Sequence, residues 1–250
     1  MIIYKSEAEA AKMRRAGRIV AQVLQAISEM AKPGLTTLAL DARALELTVK
    51  MGVKPAFKGY RGFPAALCTS LNEEVVHGIP GPRRLAEGDI LSLDFGVIYE
   101  GYYGDAAVTI PIGKVSPQAM DLMEVTRASL YLGIAAACVG KRISAIGRAV
   151  QSYVEARGFS VVQDFAGHGI GQEMHEDPHV PNFVRGFKGY DAPFRAGMTI
   201  AIEPMVNIGT YQVVTKPDNW TVFTKDGSLS AHYEHTILVT EGEPEILTLI

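Results

Sequence analysis

Two aspartates set across a predicted hairpin restrict the fold of this chain more than any other feature of its sequence. Residues Ile90–Ile110, ILSLDFGVIYEGYYGDAAVTI, form apolar, β-branched runs on either side of the turn-prone stretch Tyr99-Glu100-Gly101-Tyr102-Tyr103. A turn centred near Tyr99 and Glu100 puts Asp94 about opposite Asp105, on one face of the ladder. Like charges directly opposed in an antiparallel pair are destabilising. A carboxylate taken out of water also needs a partner. The pair therefore calls for a positive group between its members, and a bound dication is the simplest.

With 250 residues, 48% apolar and 20% charged, the chain has the composition of an ordinary soluble globular protein, and a single domain with a substantial core is expected over 1–250. The formal charge of −3, without a block of like charge, leaves no electrostatic footprint for nucleic acid or an anionic membrane. The start, MIIYKSEAEAAKMRRAG, lacks the apolar core of a signal peptide. No run approaches the roughly 18 apolar residues of a membrane span. Cys68 and Cys138 lack CxxC spacing and suit a reducing compartment, so a cytoplasmic location is expected.

Helix and turn signals divide the chain into two similar halves. Ser6-Glu7-Ala8-Glu9 has capping-box spacing and opens a helix to about Ala31, which Pro33-Gly34 stops. Thr36 or Thr37 caps a second helix, carrying Leu38, Leu45 and Val49 and ending near Gly52. Ser116-Pro117 begins a third, running to about Val139. Ser144 is expected to cap a fourth, ending at Gly158. Laid on one another, Gly34 falls on Gly140, Leu40 on Ile146 and Gly52 on Gly158, and Gly88–Asp94 falls on Gly197–Glu203. The expected architecture is α+β, a duplication of about 6–113 and 116–250, each half two helices followed by antiparallel strands.

The duplication lays a carboxylate on a carboxylate. Asp94 and Glu203 end matching apolar runs, and each half has a further strand with an acid inside it, Asp105 in one and Glu234 in the other. Two such hairpins meeting face to face bring four acids to one place. His168, between glycines in Ala166-Gly167-His168-Gly169-Ile170-Gly171, can approach them closely. One imidazole and four carboxylates form a ligand set for first-row divalent metals, and four negative charges balance two dications. His77 and His175 are not needed as ligands, so either can hydrogen-bond a substrate carbonyl or amide beside the metals. His179, His232 and His235 are read as lying at the surface or behind the ligands.

Asp94, Asp105, His168, Glu203 and Glu234, together with GHGIG, HEDPHVP and AIEP, resemble the type I methionine aminopeptidases of the pita-bread (creatinase/aminopeptidase-like) fold, from about Ser6 to the end of the chain. The resemblance implies a dinuclear hydrolase that removes the initiator methionine of nascent chains when the next residue is small. It implies that Asp94 binds one metal, that Asp105 and Glu234 bridge both, and that His168 and Glu203 bind the other. A bridging hydroxide is then the nucleophile and Glu203 the general base. His77 would contact the substrate backbone, and His175 would polarise the carbonyl or hold the oxyanion. The methionine pocket carries over onto Phe57, Tyr60, Phe63, Cys68, Met174 and Trp220, whose apolar and sulfur-containing surfaces suit a polarizable thioether. Phe57, Phe63 and Met174 depart from the Cys, Tyr and Phe frequent in bacterial relatives, while keeping the pocket apolar.

The resemblance also implies a monovalent-cation site that Asn72 and Ser230 match in part. Co, Mn, Fe and Zn all suit the divalent set. An Xaa-Pro aminopeptidase or prolidase shares the ligands but usually carries a large N-terminal domain, and this chain begins at the catalytic one. A metal-free binding protein on the same fold is the other alternative, though such proteins typically lose ligands. Neither an N-terminal zinc-finger region nor a long helical insertion between His175 and Glu203 is expected. Ribosome association would then use the domain's own surface. A monomer is the default.

Overall fold

The computed structural model describes residues 1–186 and 188–249. Its α-helices are α1 (Glu7–Met30), α2 (Thr37–Met51), α3 (Pro117–Ala136) and α4 (Ser144–Glu155). The capping box at Ser6 forms as expected: the Glu9 N–H donates to Ser6 Oγ, and the Ser6 N–H donates to the Glu9 carboxylate at 2.8 Å. Thr36 caps α2, and Gly52, at φ 68°, closes it in the left-handed conformation that glycine adopts without penalty.

Three local expectations are corrected. The inward stripe of α2 is Leu40, Ala44, Leu47 and Thr48, while Leu38 and Val49 are 54% and 81% exposed. Packing against the sheet and α1, rather than the first apolar residues met in the sequence, decides which side turns in. Helix α3 stops at Ala136, short of Val139. Ser144 does not cap α4. Its own N–H and hydroxyl donate to the Asp191 carboxylate at 2.8 and 2.9 Å, so an acid 47 residues away satisfies the helix start.

The strands that place the site are β1 (Leu67–Leu71), β2 (Glu74–Val76), β3 (Ile90–Tyr99), β4 (Tyr102–Pro111), β5 (Gly167–Gly169), β6 (Glu176–Val180), β7 (Thr199–Ile202), β8 (Met205–Asn207), β9 (Ser230–His232) and β10 (Glu234–Leu238). The single strand expected around Glu234 is broken at Tyr233 into β9 and β10. An antiparallel sheet runs in the order β3, β4, β10, β7, β5, β6, with β1 also paired to β3.

The hairpin β3–β4 forms, but in a different register from the one expected. Tyr99 pairs with Tyr102 about a two-residue turn, Glu100-Gly101, with φ 47° and 82°. Positive φ at both turn positions matches the right-handed twist of the strands. Asp94 consequently pairs with Ala107, and Asp105 with Gly96. The two acids lie diagonally rather than face to face, on the same side of the sheet.

Side-chain alternation then separates core from site. Leu91, Leu93, Phe95 and Val97 of β3 pack with Ile19, Val20 and Val23 of α1 in one buried cluster. Ile200 and Ile202 of β7 and Ile237 of β10 join residues of α3 and α4 in a second. The period of two turns Asp94, Asp105 and Glu234 to the side away from these helices.

Candidate metal centre

The strand order brings together acids that lie far apart in the chain. Five neighbouring strands, β3, β4, β10, β7 and β5, carry in turn Asp94, Asp105, Glu234, Glu203 (the residue after β7) and His168. Asp94 and Glu234 both pair with Ala107, from opposite sides of β4, so the three residues form one row. A donor atom from each of Asp105, His168 and Glu234 lies within 4.8 Å of the other two. His168 Nε2 is 3.6 Å from Glu203 Oε1, and Asp94 and Asp105 are near enough for each to perturb the other's carboxyl. The five residues singled out as ligands are thus brought to one place.

Burial sets the electrostatics. It lifts the Asp94 carboxyl to about 7. Asp105 is pushed well above the usual carboxylate range by burial first and then by Asp94 and Glu203. Glu203 and Glu234 are raised likewise, by burial and by their acidic neighbours. Burial holds His168 down to about 3, so its imidazole is neutral. Its Nδ1 lies 2.8 Å from the Gly169 carbonyl, which can only accept; Nδ1 therefore carries the proton and Nε2 is left as a free lone pair.

A cation answers each of these features. Asp94 Oδ1, Asp105 Oδ1 and Glu234 Oε1 are shielded from water and have no hydrogen-bond partner. Such orphaned acceptors are costly in a protein interior unless charge is brought to them. A carboxylate and imidazole donor set suits first-row divalent ions.

Beside the cluster is a cavity of 260 Å³. All six residues expected to form the methionine pocket line it, as do His77 and His175. Phe57, Phe63, Cys68 and Met174 are buried together. Trp220, half-buried, meets Phe63 edge-on at 5.1 Å and His77 at 6.2 Å between ring centroids. Burial and the nearby carboxylates push the Cys68 thiol well up, making it an apolar wall group rather than a nucleophile.

The two catalytic-candidate histidines are held by different devices. His77 has φ 59°, unusual for a residue with a side chain. Gly78 follows and sits so close to the Thr69 carbonyl that a Cβ would not fit. Burial depresses the His77 pKa to about 4. His175 receives Tyr60 at 2.7 Å, between the phenol oxygen and Nδ1, and its ring centroid lies 4.2 Å from that of His168. Its loop is tied by Glu176, whose carboxylate accepts the Gln172 and Glu173 N–H groups and pairs with Lys5.

The remaining candidates are placed as follows. Ser230 donates its N–H to the Asn72 carbonyl at 2.9 Å, and the Asn72 side chain bonds Asp89 and the Ile90 N–H. His179 is exposed. His235, on the far side of β10 from Glu234, has Nδ1 2.8 Å from Thr248 Oγ1.

His232 was not singled out as part of the site. It is buried, and its Nε2 lies 3.8 Å from Glu203 Oε2 with no hydrogen-bond partner. The available signal was its position two residues before Glu234. Arg61 and Phe165 also line the cavity and were not named among the pocket residues.

The comparisons with known proteins agree with this geometry. The model for metallopeptidase family M24 matches residues 11–241. A protein named methionine aminopeptidase from Clostridium acetobutylicum is 51% identical over 250 residues, covering 100% of this chain and 99% of the relative. Methionine aminopeptidase 1 of Bacillus subtilis is 49% identical, with 100% of each chain covered. The crystal structure of a methionine aminopeptidase from Thermotoga maritima superposes with a TM-score of 0.96 at 46% identity, again over 100% of both chains. Its fold is therefore theirs, the pita-bread fold, and the family's divalent metal ions have a fitting set of donors here. Five converging donors beside an apolar cavity, and likeness along the full chain, lead to one assignment: this chain belongs to metallopeptidase family M24, among its methionine aminopeptidases.

Proposed function

We propose that this enzyme removes the N-terminal methionine of polypeptides whose second residue is small, using two divalent ions held by Asp94, Asp105, His168, Glu203 and Glu234. The observation that carries the reading is the convergence of these donors from five adjacent strands against a pocket walled by Phe57, Phe63, Cys68 and Met174. Asp105, Glu234 and His168, whose donor atoms lie within 4.8 Å of one another, would hold the ions together with Asp94 and Glu203 on either side. The duplication proposed from the sequence fits the succession of α1 and α2 before β3 and β4, and of α3 and α4 before β7 and β10.

When bound, the ions lower the pKa of water and polarise a carbonyl oxygen. The protein's part is placement and proton transfer. The apolar pocket takes the unbranched thioether and excludes water around it. Glu203, whose carboxyl binds a proton readily in this buried setting, accepts one from the attacking water and returns it to the leaving nitrogen. With the Tyr60 phenol donating to Nδ1, His175 carries its proton on Nε2 and offers it to the carbonyl oxygen as negative charge develops there. His77, neutral and fixed by its turn, hydrogen-bonds the substrate backbone.

The test is a peptidase assay on EDTA-treated protein with metal added back, comparing wild type with Asp105→Asn on Met-Ala-Ser and Ala-Pro-Ala. Metal-dependent cleavage of Met-Ala-Ser and loss of most activity in the variant are expected, with one equivalent of metal lost. Near-normal turnover by Asp105→Asn would reject Asp105 as a ligand, and preference for Ala-Pro-Ala would reject the substrate.

A further inference from the structure

Among the residues lining the cavity, all but two are buried or half-buried; Arg61 and His175 are the exposed ones. They therefore mark its mouth. A peptide with its first side chain between Phe63 and Met174 and its first carbonyl at the metal centre must leave past them. Arg61 is also the one lysine or arginine in that lining. It has no carboxylate partner among the described residues, and its guanidinium stands 5.3 Å from the Tyr60 ring centroid.

The backbone under Arg61 is a tight turn. Gly59, Arg61 and Gly62 have φ of 86°, 48° and 90°, and the turn is closed by Gly59 N–H to Phe63 O at 2.8 Å and Phe63 N–H to Tyr60 O at 2.9 Å. An arginine in the left-handed region is strained, and such strain gathers at functional positions.

We propose that Arg61 forms a subsite for acidic side chains in the stretch of substrate that follows the small second residue. The proposal rests on the aminopeptidase reading above and deepens it, by giving the enzyme a charge preference beyond the residue next to methionine. An unpaired, pre-positioned guanidinium can take a carboxylate in a forked pair, and it repels lysine or arginine at the same place. Because the site is open to solvent, the effect is modest and salt-dependent.

The experiment measures kcat/KM of metal-loaded wild type, Arg61→Ala, Arg61→Lys and Arg61→Glu. The substrates are the C-terminally amidated pentapeptides Met-Ala-Asp-Ala-Ala, Met-Ala-Ser-Ala-Ala and Met-Ala-Lys-Ala-Ala. Amidation leaves the aspartate as the only carboxylate. Each enzyme is judged by its own Asp-to-Lys ratio, so any general change in activity cancels. Wild type is expected to favour Asp over Lys by about 3- to 5-fold at low salt, falling towards 1 near 1 M salt. The ratio should be about 1 in Arg61→Ala, largely retained in Arg61→Lys, and inverted in Arg61→Glu. Equal ratios in wild type and Arg61→Ala, with all peptides cleaved, would overturn the subsite while leaving the aminopeptidase reading intact. No cleavage of any peptide by wild type would overturn both.

Discussion

His232 Nε2 stands 3.8 Å from Glu203 Oε2, with both side chains largely shielded from solvent and that nitrogen otherwise unpartnered. Burial holds the His232 pKa down to about 3, so a neutral imidazole lies behind the acid proposed to move the proton. Groups that orient a metal ligand matter by roughly 10- to 100-fold in affinity or activity. His232→Ala is expected to lose about that much, with His232→Gln retaining more because its amide can still reach the carboxylate. Metal titration and turnover of the two variants check this; an alanine variant equal to wild type in both would show that the contact is idle.

Lys5 and Glu176 form a buried ion pair, 2% and 5% exposed in their side chains, linking the start of the chain to the loop that presents Met174 and His175. Removing one partner of such a pair leaves an uncompensated charge, at a cost of about 3–5 kcal/mol. Lys5→Met is expected to be destabilised by that amount in urea denaturation, with a lower kcat in the folded fraction. A shift below about 1 kcal/mol would show that the pair contributes little.

Stability of the metal-free protein should fall as pH rises above about 6.5. Unfolded carboxyls ionise near pH 4, whereas the folded chain holds the Asp94 proton to about 7 and keeps those of Asp105, Glu203 and Glu234 well above their ordinary range. Below about pH 6.5 this is opposed by His77, His168 and His232, which burial keeps neutral in the fold while they are protonated in the unfolded chain. Above it the carboxyls act alone, the folded state binds more protons than the unfolded one, and stability declines with pH. Melting temperature in EDTA should therefore drop between about pH 6.5 and pH 8. Added Mn²⁺ should reverse the trend, because it binds the deprotonated ligands. A flat EDTA profile, parallel to that with metal, would count against the raised carboxyls.

His175→Ala should lower kcat by about 10²–10³ with a much smaller change in KM, the pattern of a donor that acts mainly as charge develops. Tyr60→Phe should fall between this variant and wild type, since it leaves the imidazole in place but frees its Nδ1. Separate determination of kcat and KM decides: a change confined to KM would assign His175 to ground-state binding.

What could be read in advance was whatever a local pattern encodes. The capping box at Ser6, the stop at Gly52 and the acids inside apolar runs are all decided by near neighbours in the chain. The methionine pocket and the roles of the ligands came from the resemblance to a family rather than from the residues alone. The rest depends on tertiary contacts. Asp191 at the start of α4, Lys5 beneath the His175 loop and the inward side of α2 are fixed by elements distant in sequence. His232, read with His179 and His235 as lying at the surface or behind the ligands, is put behind Glu203 by contacts across the sheet that its spacing from Glu234 only hints at. The hairpin register was misjudged because Glu100-Gly101, not Tyr99-Glu100, makes the turn.

That misjudgement was harmless for a reason that constrains any relative or redesign of this hairpin. The expected and actual pairings differ by an even step, and even steps preserve the parity of a β-strand. Lengthening or shortening the connection between Asp94 and Asp105 by two residues would slide the acids past one another while both still overlooked the same cleft. An odd change would swing one carboxylate in among Leu93 and Phe95, among the helix-packed residues, unless a bulge restored the count. Loop length at this turn is thus quantised: the catalytic centre survives only by twos.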